Sequence, residues 1–238
     1  MSPSVVVVAP AKLTVSLRIV GVRNDGLHLI DAEMVTLGLA DDLTFGPGDG
    51  LDIVGAPGLD AGPANLVRRA LHATGRRSHV LLVKRIPAGA GLGGGSADAA
   101  AVLRWAGVAG DAAGLALAAG LGADVPFCLV GGRARVRGVG EIVEALAFEE
   151  RSFTIVTPPL HVSTPEVYRA WDALGGPTGG GPNDLEPAAL AVEPELARWR
   201  DRLGDATGAT PVLAGSGGTW FVEGAYPSAG LVVETVGP

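Results

Sequence analysis

The chain has 238 residues, a formal net charge of −7 and a pI near 5.1. Such an acidic chain lacks the basic surface that binding to nucleic acid or to anionic membranes requires, so neither partner is expected. Its 47% hydrophobic and 18% charged residues are typical of a soluble globular protein of one or two domains, and its single cysteine excludes an intrachain disulfide.

These properties predict a cytoplasmic protein. The segment MSPSVVVVAP at residues 1–10 has no basic region, and its apolar run is too short for a signal peptide. No uncharged apolar stretch reaches the roughly 18 residues of a membrane span. Cys128 lies in the apolar context PFCLVG, where it is expected to fill core in a reducing compartment. Both a monomer and a homodimer fit the sequence.

The first part of the chain is predicted to be mainly strands. VVVVA at 5–9 and LTVSLRIVG at 13–21 are rich in β-branched residues and predict two strands, and MVTLGL and DLTFG continue the pattern. A short strand is expected at LDIVG within the loop-like segment 46–63. The apolar spacing of 65–75 predicts a helix that ends at Gly75.

Further along the chain, strands and helices are mixed. An apolar strand at 80–86 leads through a glycine-rich stretch into a helix, and residues 133–146 predict a hairpin. Because FTIVTPP opens a new strand, we predict domains at 1–150 and 151–238. The stretch GGPTGGGP at 175–182 is expected to be a loop, and PELARWRDRLGDATG predicts an amphipathic helix.

The stretch IPAGAGLGGGSADAA at 86–100 is the strongest functional signal. Ordered glycines carry a large entropic cost, and a run of them is typical of a loop whose backbone approaches a bulky anion. Ser96 occupies a position suited to an N-cap, and the alanine-rich segment after it predicts a helix whose N-terminus favours negative charge. The alternative, a flexible linker, does not suit a segment between a strand and a helix.

Other glycine-rich phosphate loops fit less well. Gly89, Gly91 and Gly94 match the spacing of a dinucleotide fingerprint, but no second strand with a terminal acidic residue follows. The Gly-Lys-Ser/Thr of a Walker loop is absent, as are the His-Arg-Asp and Asp-Phe-Gly signatures of protein kinases. A dinucleotide-binding oxidoreductase therefore stays only as a distant alternative.

Two charged residues are candidates for catalysis. Asp124 lies in the apolar segment GADVPF, where an unpaired carboxylate would be costly to bury, although a capping or turn aspartate is an alternative. Lys12 is one of only two lysines, and it lies between two apolar strand segments. Its ammonium could pair with Asp124 and stabilise an attacking oxygen, or it could be a strand-edge lysine that reaches solvent.

Taken together, these motifs resemble the GHMP kinases. PAKLTVSLRIVGVRNDGLH near the N-terminus, the central glycine loop, LGADVPFCLVGG, STPEVY, NDLEP and AGSGGTWF occur in order over nearly the whole chain. The central loop alone indicates the superfamily. The combination of PAKLT, DGLH and NDLEP is similar to the 4-diphosphocytidyl-2-C-methyl-erythritol kinases of the non-mevalonate (MEP) pathway of isoprenoid biosynthesis.

The resemblance implies an α+β fold with two lobes, an N-terminal lobe like ribosomal protein S5 and a ferredoxin-like C-terminal lobe, here with a shortened C-terminus. It implies ATP and Mg²⁺ as cofactors and a small-molecule substrate whose 2-hydroxyl is phosphorylated, with Lys12 and Asp124 as the catalytic pair. The ATP-binding residues would be Pro87, Ala88, Gly89, Ala90, Gly91, Leu92, Gly93, Gly94, Gly95, Ser96 and Ala97, with Ser96 also a candidate metal ligand. The substrate-binding residues would be Thr14, His28, Thr164, Tyr168, Gly215 and Gly217.

Within that family pattern, His28 matches the histidine that hydrogen-bonds cytosine, and Tyr168 matches an aromatic that stacks on the base. Taken alone, the histidine could face solvent from a loop and the tyrosine could belong to the core. Asn183 and Asp184 are expected to be structural.

Three features depart from the family pattern. Leu27 replaces a tyrosine before the histidine, and Thr14 replaces an asparagine beside the lysine. Only a few residues separate Phe221 from the last predicted strand, where the family has a helix. The open alternatives are another GHMP kinase for a small alcohol, such as homoserine or mevalonate, and a non-catalytic nucleotide-binding relative.

Overall fold

The computed structural model of the protein describes residues 4–238, so residues 1–3 of the opening MSPSVVVVAP segment lie outside the described part. The described strands are β1 (Val5–Val22), β2 (His28–Gly46), β3 (Gly50–Val54), β4 (His79–Val83), β5 (Arg133–Gly138), β6 (Ile142–Ala145), β7 (Ser152–Val156), β8 (Val212–Leu213), β9 (Trp220–Glu223) and β10 (Leu231–Glu234). The described helices are α1 (Leu66–Ala73), α2 (Gly94–Trp105), α3 (Ala112–Ala119), α4 (Val125–Val130), α5 (Thr164–Ala173), α6 (Glu186–Val192) and α7 (Leu196–Thr207).

A six-stranded sheet contains the strands that end by residue 145. Its order is β3-β4-β2-β5-β6, and β1 runs antiparallel to β2 along its whole length. The prediction of two strands at 5–9 and 13–21 is wrong, because one strand continues through Pro10. Shifts of register, the first between Pro10 and Lys12, absorb the proline, which an edge strand tolerates at a bulge.

The second sheet is four-stranded and antiparallel, in the order β10-β7-β9-β8. The two sheets thus divide between residues 145 and 152, beside the predicted boundary, although the two-domain division itself stays a prediction. Two isolated bridges, Leu17 with Asn183 and Leu37 with Thr235, connect the two halves of the chain. No helix lies between β9 and β10 in the described structure, as the spacing of the last strands predicted.

Helix α2 lies in the core beside the first sheet and carries the glycine-rich stretch at its start. Residues 97–103 are all buried, and the helix packs against β1, β2, α1 and α4. Its alanines allow this close packing on several sides. β4 ends at Val83, three residues earlier than predicted, so Lys84 to Ile86 already belong to the connection.

Most other predicted elements are confirmed. Asn65 caps α1 through Val67, and Gly75 follows that helix with φ +63°. The 133–146 hairpin and the helix at 196–207 form as expected, and residues 175–182 contain no helix or strand. The α+β class is confirmed. Within residues 4–238, no helix has the length and apolarity needed to cross a bilayer.

Candidate active site

The glycine loop, residues 87–93, connects β4 to α2 through left-handed backbone. Gly89, Gly91 and Gly93 have φ values of +72°, +76° and +68°. Gly93 is the N-cap of α2 and provides no side-chain hydrogen bond, so the first N–H groups of the helix are not capped by a side chain. The prediction of Ser96 as N-cap is wrong, since the helix begins two residues before it and Ser96 lies in the first turn.

Lys12 ties the glycine loop to the middle of β1. Its backbone N–H donates to the Leu92 carbonyl over 3.0 Å. A methyl group on Gly93 would lie only 2.6 Å from the Lys12 Cγ, so glycine at this position leaves room for the lysine stem. The lysine is 5% exposed and lies along the loop.

Lys12 and Asp124, 112 positions apart in the sequence, form an ion pair. The Nζ–Oδ2 distance is 3.3 Å, and Nζ also donates to the Thr14 hydroxyl over 3.0 Å. Asp124 is at the N-cap position of α4 but makes no capping hydrogen bond with its side chain. Its role as a cap is therefore not supported, and with its side chain one-third exposed its carboxylate is open to a ligand.

The serine loop, residues 214–219, packs against the glycine loop backbone to backbone. The Thr219 hydroxyl donates to the Ala90 carbonyl over 2.7 Å. A methyl on Gly91 would lie 2.4 Å from the Gly217 carbonyl oxygen. Asn183 holds the start of the serine loop, because its buried amide donates to the carbonyls of Leu213 and Gly215. Its structural role is as predicted.

Asp184 has a structural role as well. Its carboxylate accepts hydrogen bonds from the Arg18 side chain over 2.8 Å and from the Ile19 backbone over 2.9 Å. Because Arg18 and Ile19 belong to β1, this aspartate attaches the segment before α6 to the first sheet.

The predicted base-binding residues lie together at the start of β2 and on α5. The His28 and Tyr168 ring centroids are 4.7 Å apart, and the planes are tilted by 35°. Burial and the nearby charge of Asp124 raise the pKa of Tyr168 to about 12, so its phenol stays neutral. Thr164 is hydrogen-bonded to Ser216 over 2.7 Å, and Leu27 is half exposed.

A cluster of Lys84 with two aspartates borders the glycine loop, and the sequence analysis did not identify it. Lys84 is buried and paired with Asp41 and Asp98, the latter over 2.8 Å. Asp98 Oδ1 has no hydrogen-bond partner in the described structure, and burial raises the pKa of Asp98 to about 7 although Lys84 opposes the shift. The scarcity of lysine was a usable signal, because both lysines of the chain line the same cleft.

A cleft of about 600 Å³ brings these groups together. Of the predicted site residues, all but Ala97 and Gly217 line it; Ala97 is buried inside α2, and the Gly217 carbonyl faces Gly91. Further lining residues that the sequence analysis did not identify include Leu59, Asp60, Ala64, Asn65, Leu66, Lys84, Asp98 and Ser216. Cys128 is buried, as expected, and burial raises its pKa to about 12.

Known proteins of one kinase family are similar to this chain. The family model for the GHMP kinases N terminal domain matches residues 64–132. A 4-diphosphocytidyl-2-C-methyl-D-erythritol kinase of Paracoccus denitrificans is 41% identical, covering 90% of this chain and 84% of its own. One of the same name from Xanthobacter autotrophicus is 39% identical, covering 90% and 87%.

Solved structures show the same fold. A crystal structure of 4-(cytidine 5′-diphospho)-2C-methyl-D-erythritol kinase superposes with a TM-score of 0.76 at 35% identity, covering 98% of this chain and 100% of that chain. A mevalonate kinase from L. major superposes with a TM-score of 0.67 at 14% identity, covering 98% and 96%, which is a likeness of fold alone. The two relatives and the solved structure of that name are 35–41% identical to this chain, and each alignment covers at least 90% of this chain and at least 84% of the other. The chain therefore belongs to the 4-diphosphocytidyl-2-C-methyl-D-erythritol kinase family of GHMP kinases.

Proposed function

We propose that the protein is the ATP-dependent kinase that phosphorylates the 2-hydroxyl of 4-diphosphocytidyl-2-C-methyl-D-erythritol in the non-mevalonate pathway of isoprenoid biosynthesis. One observation supports this above the others: the Lys12–Asp124 pair lies in the cleft that the glycine loop borders. The hydrogen bond from Lys12 N–H to Leu92 fixes the pair relative to that loop. A phosphoryl-transfer enzyme needs this combination of anchored phosphates and a positioned acceptor.

In this proposal Asp124 accepts the proton of the 2-hydroxyl as that oxygen attacks. Lys12, which forms the ion pair with Asp124, stabilises the negative charge that develops on that oxygen. Its low exposure increases the effect, because a charge acts more strongly away from bulk water. Thr14 accepts one ammonium hydrogen and so limits where Lys12 Nζ can lie.

The glycine loop is the proposed phosphate site. Its left-handed glycines and the first turn of α2 provide backbone N–H donors, and the helix dipole favours an anion there. We place the nucleoside of ATP against residues 59–66, which adjoin the loop: a methyl on Gly95 would lie 3.5 Å from Leu66.

A side-chain hydroxyl beside the phosphates also suits Mg²⁺, which keeps several waters and binds substrate phosphates. Ser96 lines the cleft from the first turn of α2. Ser96 would hold the ion together with the phosphate oxygens. When bound, Mg²⁺ neutralises phosphate charge during transfer.

The substrate is proposed to lie along the wall that α5 and the serine loop form. Tyr168 would stack on cytosine, His28 would hydrogen-bond it, and Thr164 and Gly215 would border the remainder of the molecule. Leu27 adds apolar surface in place of a second aromatic ring. Stacking of this kind contributes roughly 1–3 kcal/mol per base in nucleic-acid platforms.

We further propose that the enzyme works in the cytoplasm on a small molecule, without nucleic acid or membrane as partner. The acidic net charge of −7 supports this. Light scattering on the purified protein distinguishes the monomer from the homodimer.

The deciding experiment measures phosphoryl transfer from ATP to 4-diphosphocytidyl-2-C-methyl-D-erythritol, with homoserine and mevalonate as competing acceptors. We expect turnover on the cytidylated acceptor alone. Asp124→Asn should lower kcat by about 10²–10⁴-fold, the usual contribution of a positioned general base. The affinity for ATP, measured by calorimetry, should change little.

Asp111→Asn is the matched control. Asp111 caps α3 by accepting from Gly114, and asparagine caps equally well, so kcat should match wild type. If Asp124→Asn kept more than about a tenth of the turnover, the general-base role would be wrong. Turnover on homoserine or mevalonate would indicate a different acceptor, and ATP binding without turnover would indicate a non-catalytic relative.

A further inference from the structure

The His28 ring is held on three sides by α5. Its Nε2 lies 2.8 Å from Asp172 Oδ1, the Tyr168 ring faces it, and the Trp171 ring meets it edge-on at 5.4 Å and 87°. The indole of Trp171 donates to the Pro177 carbonyl and does not compete for the imidazole nitrogens. The histidine side chain is only 9% exposed, so this arrangement leaves little rotational freedom.

The contact with Asp172 determines which imidazole nitrogen carries the proton. An ionised carboxylate only accepts hydrogen bonds, so Nε2 must be the N–H donor. In a neutral imidazole Nδ1 is then an acceptor. Among residues 4–238 Nδ1 has no hydrogen-bond partner and is not sealed from solvent, and His28 lines the cleft.

An acceptor at this position distinguishes the two pyrimidines. Cytosine offers an amino group at C4, which donates, whereas uracil offers a carbonyl oxygen, which accepts. An Nδ1 lone pair therefore binds the 4-amino group of cytosine and opposes the 4-oxo group of uracil.

We propose that Asp172 is a positioning residue that makes the site selective for cytidine over uridine diphosphates by fixing the Nε2–H tautomer of His28. The inference rests on the proposed function, because it takes the base of the cytidylated substrate as the occupant of this wall. Asp172 does not line the cleft and acts only through the histidine.

The test uses Asp172→Ala and Asp172→Asn, with Glu166→Gln as the matched control. Glu166 lies on the same helix and is exposed, and its only partner in the described structure is Arg169 at 3.8 Å, so this variant removes the same charge without touching His28. Calorimetry at about pH 8, where an imidazole is ordinarily neutral, measures the affinities for cytidine 5′-diphosphate and uridine 5′-diphosphate.

We expect the preference for the cytidine nucleotide to fall about tenfold in Asp172→Ala, the value of one hydrogen bond of about 1.4 kcal/mol. The fall should be smaller in Asp172→Asn, whose amide can still accept from Nε2–H. In the kinase assay KM for the cytidylated substrate should rise by a similar factor, while kcat and the KM for ATP stay within about twofold. A purely structural role would instead weaken both nucleotides and ATP together.

Nitrogen-15 NMR reads the tautomer directly. The chain has four histidines, so a His28→Gln spectrum assigns the His28 signals. Wild type should show an unprotonated Nδ1, and Asp172→Ala should show a mixture of tautomers. A protonated Nδ1 in neutral wild-type protein, or an unchanged nucleotide preference in Asp172→Ala, would overturn the inference.

The two proposals can fail separately. Wild-type protein that prefers cytidine diphosphate through Asp172 but does not phosphorylate the acceptor would contradict only the proposed function. If wild type phosphorylated the acceptor but Asp172→Ala kept the wild-type preference for cytidine over uridine diphosphate, only the inference would be contradicted.

Discussion

The contact between the glycine loop and the serine loop can be tested by adding one methyl group, in Gly91→Ala. Gly91 has φ +76°, and the methyl would lie 2.4 Å from the Gly217 carbonyl oxygen and 2.9 Å from that of Ala214. Both atoms belong to the backbone, so no side-chain rotation relieves the overlap. The two loops must move apart.

A control at Gly208 separates the overlap from the cost of the left-handed conformation. Gly208 follows α7 with φ +68°, and a methyl there would meet nothing within 4 Å. Left-handed backbone costs alanine about 1–2 kcal/mol, which both variants share. Overpacking adds about 1–3 kcal/mol, so Gly91→Ala should lose about 2–5 kcal/mol of unfolding free energy and Gly208→Ala about 1–2.

Urea unfolding gives both free energies, and steady-state kinetics give the KM for ATP. Because the methyl displaces the proposed phosphate loop, Gly91→Ala should raise that KM at least about tenfold, equivalent to about 1.4 kcal/mol. Gly208→Ala should leave it unchanged. If the two variants matched in stability and in KM, the close packing of the loops would have no role in nucleotide binding.

Two further predictions concern buried polar groups. Burial raises the pKa of Asp98 to about 7, so between about pH 4 and 7 the folded state holds a proton that the unfolded state releases. The free energy of unfolding should therefore fall as pH rises through this window, by up to about 1.4 kcal/mol per pH unit. Asp98→Asn cannot titrate and should flatten this slope in urea titrations from pH 5 to 8, and equal slopes would contradict the assignment. Asn183→Ala leaves the Leu213 and Gly215 carbonyls and the Leu185 N–H without their partner. It should lower the free energy of unfolding by at least about 3 kcal/mol, whereas Asn24→Ala, at an exposed position, should be near neutral. Equal stability of these two variants would show that the serine loop does not depend on Asn183.

The glycine loop could be predicted from the sequence because its signal is local. Glycines crowded between a strand and a helix carry an entropic cost that only a special backbone explains, and three of them do have positive φ. The N-cap was misplaced at Ser96, since residue preference favours serine whereas Gly93 supplies the left-handed turn that begins α2. Preference for a residue type cannot register that geometry.

Non-local partners explain what the sequence analysis missed. Lys84 meets Asp41, 43 residues earlier, and Asp172 meets His28, 144 residues earlier. Neither spacing follows a helix or strand period, so no pattern in the chain indicates the pair. Only the pairing of β2 with its neighbours and the docking of α5 bring these groups together.

The structure also shows how the chain closes without a helix between β9 and β10. β10 pairs with β7, and beyond it the Thr235 N–H donates to Arg151 while the Val236 N–H donates to Thr36 of the first sheet. The Thr235 hydroxyl donates to Glu149 and accepts from the Arg151 N–H, so one buried residue is bonded to both ends of the turn into β7. These bonds attach the residues after β10, the edge strand of the second sheet, to the first sheet. β7 pairs with β10 on one side and with β9 on the other, and the serine loop directly precedes β9. The contacts that hold β10 therefore also fix the position of the serine loop against the glycine loop.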